Sequence, residues 1–185
     1  MINKTMNPFE HCPSFRTENY IFRQTSLEDA CDLFECYSDK EAVRFFNSDN
    51  CHTDFYFQTL KDMKAYMQIW EQEYQDKVYV RFSILAKDSN KAIGTIEFCP
   101  WNKKTEGYGK LAVLRIDLAS SYEKEGVITE VLKAVEDNLY DLFQVEQVFT
   151  KAVPEATARI QALLNCGYQK VAEGTIVPFG DYYIR

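Results

Sequence analysis

The sequence predicts an α/β fold in which one mixed sheet carries helices on both faces, and three observations lead there. Segments with a two-residue apolar period alternate along the chain with segments of helical period. Three strand-like segments between residues 78 and 118 are joined by two tight connections, which argues for antiparallel pairing. Finally, an apolar strand at 111–118, an apolar-striped helix at 127–143 and a strand at 147–153 make a β-α-β unit, whose strands should run parallel. Layering helices on both sides of such a sheet is the economical way to bury all the stripes.

In order, the first strand is Tyr20–Gln24. Ser26 then stands as an N-cap with Asp29 at the third helical position, and Leu27, Ala30, Cys31 and Phe34 recur at helical spacing. A short helical turn is expected over Glu41–Phe46, and Asn47-Ser48-Asp49-Asn50 is a loop. Tyr56, Leu60, Met63, Met67, Trp70 and Tyr74 form one stripe of a second long helix. Val78, Val80, Phe82 and Ile84 alternate with polar neighbours. A turn at Asp88-Ser89-Asn90 leads to a strand at Ala92–Phe98, and the polar loop Asn102–Gly109 leads to the strand Leu111–Leu118. After the helix marked by Val127, Ile128, Val131, Leu132, Val135, Leu139 and Leu142, Pro154 stops the next strand. Ala156, Ile160, Leu163 and Leu164 mark the last helix, with Gly167 as its C′ residue, and Tyr168–Ala172 and Phe179–Ile184 close the chain as strands. The expected order is β-α-α-β-β-β-α-β-α-β-β, a single domain over residues 17–185 behind a loose N-terminal segment, residues 1–16.

Composition narrows the function classes. The chain has 185 residues, 46% hydrophobic and 26% charged, so it can bury a sizeable core. Its 13 Phe, 12 Tyr and 2 Trp should be core or pocket wall. A net charge of −7 with no concentrated basic face argues against nucleic acid. The same balance suits a cationic amine, and it also simply aids solubility. No apolar run approaches the ~18 residues that span a bilayer, and Met1–Glu10 has no signal-peptide stretch. The six cysteines contain no Cys-x-x-Cys pair, which fits a reduced, cytoplasmic protein. His11-Cys12 and Cys51-His52 lack the ligand spacing of a metal site.

One junction carries candidate chemistry. Strand 111–118 runs through Ala119-Ser120-Ser121-Tyr122 into Glu123-Lys124-Glu125-Gly126-Val127-Ile128-Thr129, which opens a helix. A helix start presents unpaired N–H groups and a partial positive charge that can hold a phosphate, and Gly126 lets a ligand approach the backbone. Glu123 and Glu125 oppose an anion there.

From about Tyr20 to Arg185, the order of elements resembles the GCN5-related N-acetyltransferase (GNAT) superfamily, in particular the branch with the ribosomal-protein alanine acetyltransferases. Tyr122, Gly126, Thr129, Glu130 and Leu132 match that family's cofactor-loop pattern, and Cys166-Gly167-Tyr168 stands where the family ends its last helix with Gly-Phe. Glu123 replaces the family's Gln or Arg, and Ile128 replaces a small residue.

The resemblance implies acetyl-CoA as cosubstrate and a primary amine, on a small molecule or a protein N-terminus, as acceptor. Backbone groups of Ile116, Asp117 and Leu118 would face the pantetheine arm, and the amides of Lys124, Glu125, Gly126, Val127, Ile128 and Thr129 would hold the pyrophosphate. The thioester would enter between strands 111–118 and 147–153. The family's catalytic side chains are replaced. Val113 and Lys151 stand at its two glutamate positions, Leu163 at its tyrosine, and Ala156 and Arg159 at its Asn-x-x-Ser. Glu97 and Asp117 are the substitute candidates. Asp117 shares a face with Val113 and Arg115 and can pair with Arg115, and Tyr182 and Tyr183 could reach the substrate side. The alternative is a catalytically silent relative that binds CoA or another ligand as a sensor or interaction module. A homodimer is the common expectation for a fold with exposed sheet ends.

Overall fold

The computed structural model describes residues 7–185. Its strands are β1 (Phe15–Arg16), β2 (Tyr20–Gln24), β3 (Val80–Ala86), β4 (Ala92–Trp101), β5 (Leu111–Leu118), β6 (Gln147–Lys151), β7 (Gln169–Lys170) and β8 (Tyr182–Ile184). They form one sheet in the order β1-β2-β3-β4-β5-β6-β8-β7. The helices are α1 (Ala30–Tyr37), α2 (Lys40–Val43), α3 (Leu60–Gln75), α4 (Glu125–Phe143) and α5 (Thr157–Asn165). As expected, β3, β4 and β5 pair antiparallel and β5 pairs parallel with β6.

Alternation along the strands divides the core into layers. Phe22, Phe82, Ile84, Ile96, Leu114 and Ile116 point to one face, where Val131, Val135 and Leu139 of α4 and Leu163 of α5 complete the main cluster. On the other face, Leu33, Tyr37, Met63, Met67 and Trp70 pack with Phe55 and Phe57. A third cluster around Phe149, Tyr182 and Val177 closes the β6–β8 end.

Several boundaries differ from the sequence expectation for identifiable reasons. The long stripe does not start at Tyr56. Thr59 caps α3 by accepting from the Asp62 amide at 3.1 Å, so Tyr56 precedes the helix. Leu27–Asp29 is a 3-10 turn leading into α1, and the Asp29 carboxylate accepts from the Ser26 amide at 3.1 Å. The closing strands are shorter than expected, at Gln169–Lys170 and Tyr182–Ile184. Gly167 does take the left-handed C′ position, with φ +83°.

The loose segment expected over residues 1–16 is corrected wherever the structure describes it; residues 1–6 lie outside the described residues. Tyr74 donates its hydroxyl to the Pro8 carbonyl at 3.1 Å. Phe9 lies edge-on to Phe143 with ring centroids 5.9 Å apart, and Phe15 stacks on Phe22 at 4.7 Å within the β1–β2 pair. Isolated aromatics in a polar stretch carry no period, so burial of each ring was not visible locally.

β4 approaches β5 closely at Gly94, where a methyl group would clash with the Asp117 carbonyl oxygen. At Gly126 nothing lies within 4 Å of such a group. Gly94→Ala should therefore lower stability by about 1–3 kcal/mol, whereas Gly126→Ala should be neutral or add up to about 1 kcal/mol by raising helix propensity. Denaturant midpoints of the two variants compared with the parent protein check the contrast.

Candidate active site

The sheet is open in one place. Parallel pairing of β5 with β6 covers only Leu111↔Gln147, Ala112↔Val148 and Val113↔Phe149. Beyond Val113 the two strands part, and the rest of β5 is paired through β4 alone. The Ile116 and Leu118 side chains are buried in the main core, leaving their backbone as what they can offer a ligand.

Part of that edge is already occupied. Arg159 of α5 donates Nη1 to the Ile116 carbonyl at 3.0 Å and to the Phe45 carbonyl at 3.1 Å. Its Nε and Nη2 form a two-pronged pair with Glu123 at 2.8 and 2.7 Å. Both side chains are nearly enclosed, at 2% and 7% exposure. An open cavity of about 260 Å3 adjoins this pair, lined by Glu41, Phe45, Ser120, Glu123 and Thr157. The sequence carried a signal for Arg159, because it falls on the apolar stripe of Ala156, Ile160 and Leu163. A charged group at such a position must find buried partners.

The helix start is partly available. The Lys124 amide donates to the Tyr122 carbonyl at 2.8 Å and the Ile128 amide to the Lys124 carbonyl at 3.0 Å, while Thr129 is within the helical ladder. The expected phosphate-holding set thus narrows to the amides of Glu125, Gly126 and Val127, the first turn of α4. Lys124, Glu125 and Gly126 are exposed, and the space above Gly126 is open. The Glu125 carboxylate accepts from Asn165 at 2.8 Å. Ile128 is fully buried, so its bulk stays clear of the helix start. These residues fit the diphosphate end of a CoA-type cosubstrate. Along the arm, Arg159 and Glu123 would have to exchange partners.

The face of the sheet under α1 is polar, and it absorbs both catalytic candidates. Asp117 is fully buried. It accepts from Tyr37 at 2.6 Å and from Arg115 Nε at 2.9 Å, and Arg81 Nη1 lies 3.4 Å away. Enclosed by two guanidiniums and a hydroxyl, Asp117 cannot receive a proton from a substrate, and its role is structural. Glu97 pairs with the buried Arg81 and is 17% exposed. Burial, and then the Asp117 carboxylate, push the Tyr37 hydroxyl well above the usual tyrosine range. It stays a donor at neutral pH. Arg115 lies 3.6 Å over the Phe55 ring and Arg81 4.1 Å over Trp70, which supplies further contact for both cations.

A carboxylate that sequence reasoning missed stands at the opening. Asp49, in the loop after α2, accepts from Lys151 Nζ at 2.8 and 2.7 Å and from the Tyr182 hydroxyl at 3.0 Å. Asn47 donates to that hydroxyl at 3.0 Å. Lys151 lies two residues past Phe149, the last residue paired with β5, and so shares the sheet face of Val113 and Arg115. Lys151 therefore has Asp49 delivered to it from a loop, on the sheet face that Val113 shares. The Asp49 side chain is 14% exposed and that of Lys151 18%. Tyr183 is buried in the main core, away from this group. Among the described residues, no three His, Cys, Asp or Glu side chains are grouped to hold a metal, and no helix is long and apolar enough to cross a membrane.

Comparison with known proteins agrees with this geometry. The model of the acetyltransferase (GNAT) domain family matches residues 19–169. An uncharacterised N-acetyltransferase, YoaA of Bacillus subtilis (strain 168), is 23% identical over 158 residues, covering 85% of this chain and 84% of the relative. The solved structure of RimL, a ribosomal L7/L12 alpha-N-protein acetyltransferase in complex with coenzyme A, superposes with a TM-score of 0.70 at 13% identity, covering 94% of this chain and 97% of that one. AAC(6')-Ib in complex with ribostamycin and coenzyme A gives a TM-score of 0.68 at 16% identity, covering 91% and 93%. A family model matched from β2 into β7, on a sheet opened between β5 and β6 above a helix start, identifies the chain as a member of the GNAT acetyltransferase family.

Proposed function

We propose that the protein is an acetyl-CoA-dependent N-acetyltransferase, with Asp49 managing the proton of a primary amine acceptor at the β5–β6 opening. The observation that carries this reading is the carboxylate placed on Lys151, beside the opening and on the face of Val113. The helix start at Glu125–Val127 supports the cosubstrate half, as do the coenzyme A complexes among the structural neighbours. When bound, acetyl-CoA supplies a thioester that the free amine attacks, forming the C–N bond as the C–S bond breaks.

The chain's own residues would do the rest. At neutral pH a primary amine arrives largely as ammonium, which cannot attack. Asp49 attracts it and takes its proton, directly or through one water. Lys151 fixes the orientation of Asp49 through both carboxylate oxygens. Burial, the main cause, holds the Tyr182 hydroxyl above the ordinary tyrosine range, so it remains protonated and keeps Asp49 in place. The net charge of −7 favours a cationic acceptor, either a small amine or a protein N-terminus. Structural neighbours of similar TM-score include a ribosomal L7/L12 alpha-N-protein acetyltransferase and a complex with ribostamycin, so the fold is compatible with both sizes of acceptor.

A second reading, ligand binding without turnover, draws on Arg159. Its guanidinium sits on the Ile116 carbonyl that an incoming arm would use, and Glu123 places a carboxylate beside the phosphate end. Thiol release in the presence of an amine separates the two readings.

Three variants test this proposal. Gly126→Trp should fold normally, since the space is open, and lose the melting shift given by CoA. That shift in the parent protein corresponds to about 2.7 kcal/mol at 100 times the Kd, and an unchanged shift in the variant would place the site elsewhere. Asp49→Asn should cut thiol release about 100-fold while retaining the acetyl-CoA melting shift; activity within a factor of two of the parent would remove Asp49 from the chemistry. Glu123→Gln should tighten CoA binding about 5-fold, because it removes about 1 kcal/mol of repulsion and loosens Arg159 from its partner, as isothermal titration would show.

A further inference from the structure

Arg159 closes the edge of β5 from within. Its Nη1 donates to the Ile116 and Phe45 carbonyls at 3.0 and 3.1 Å, and its Nε and Nη2 hold the Glu123 carboxylate at 2.8 and 2.7 Å. An arm that pairs with the Ile116 carbonyl must first displace this guanidinium. Doing so without a replacement is costly, because parting a buried ion pair leaves an uncompensated charge.

The two partners are anchored differently. Arg159 lies on α5 between the buried Ala156 and Ala162, and its side chain is 2% exposed. Glu123 lies at the rim, next to the exposed Lys124, and lines the open cavity of about 260 Å3. Glu123 can therefore swing out into water while Arg159 stays in the wall. The guanidinium, out of reach while the pair is closed, then faces the cavity and lacks a counter-ion. Of the other carboxylates in that lining, Glu41 pairs with Arg44 at 2.9 Å and Glu155 is exposed to solvent, so neither is bonded to Arg159.

A ligand shifts such an equilibrium only through contacts that it makes in one state and not in the other. A phosphate makes that contact, because a guanidinium grips phosphate oxygens with the same two-pronged geometry that it uses on a carboxylate. An uncharged arm does not. The start of α4, two residues past Glu123, offers N–H groups to the same phosphate.

We propose that Arg159 makes the groove selective for phosphate-bearing cosubstrates: its pair with Glu123 closes the groove in the free protein, and a ligand phosphate opens it by replacing Glu123 on the guanidinium. This rests on the placement of the cosubstrate at the β5–β6 opening.

Isothermal titration with CoA and with pantetheine, which has the arm and thiol but no phosphate, reads the selectivity. The parent protein should bind CoA, and pantetheine with a Kd above about 10 mM. The double variant Glu123→Gln/Arg159→Gln removes both charges together, so neither is left unpaired. In it pantetheine should tighten about 10-fold and CoA should bind no tighter than in the parent, so the preference for CoA falls at least about 10-fold. Should the double variant fail to show a cooperative melt, Glu123→Gln alone decides: opening the groove tightens pantetheine as well as CoA, whereas simple relief of repulsion tightens CoA alone and overturns the proposal. A purely structural Arg159 would weaken both ligands alike and leave the preference unchanged, which also overturns it. Absence of CoA binding to the parent and to both variants would instead remove the cosubstrate site, and the selectivity with it.

Discussion

The constraint on which the site depends is the early end of β5–β6 pairing. Three residue pairs hold the two strands together, and after Val113 they separate. An unpaired strand edge inside a domain leaves N–H and C=O groups that need partners. Under the proposed function, that need is what a cosubstrate would meet at the opening. In this chain Arg159 meets part of it from within, by bonding the Ile116 carbonyl. The same side chain ties α5 to Glu123, two residues before α4, and to Phe45, two residues past α2.

A second buried polar system holds the opposite side of β5 in place. Asp117, Arg115, Arg81, Glu97, Tyr37 and Thr95 link three strands to α1. Desolvating these charges is expensive, and their mutual attraction roughly offsets it only because nearly every proton has an acceptor. Such a network adds little net stability but resists any other register, since a slip of one residue would strand each charge against an apolar neighbour. It keeps Val113 and Arg115 facing the loop that carries Asp49. The exceptions are Arg81 Nε and Arg115 Nη2, which have no hydrogen-bond partner among the described residues.

Legibility in the sequence followed the range of each interaction. The α4 stripe, the bounds of β5, the antiparallel β3–β4–β5 set and the Gly167 cap all lie within short windows, and each appeared as expected. The pairing of Arg115 with Asp117 was readable too, being two residues apart on one face. What that pairing meant was not readable: Asp117 looked like a candidate base, yet Tyr37, 80 residues earlier, closes it off. Ile128 looked obstructive as a letter in a motif, and burial turns it away from the helix start.

By itself the sequence determined the order of elements, which face of each is apolar, and that a glycine stands at a helix start after an apolar strand. Those properties are set by backbone geometry and by side-chain period over a few residues. Tertiary structure alone decided that Asp49 meets Lys151 across 102 residues, that Arg159 reaches Ile116 across 43, and that Arg81 keeps a free N–H beside Trp70. These depend on where the strands part and where a loop of irregular backbone comes to rest, and neither has a period for the sequence to display.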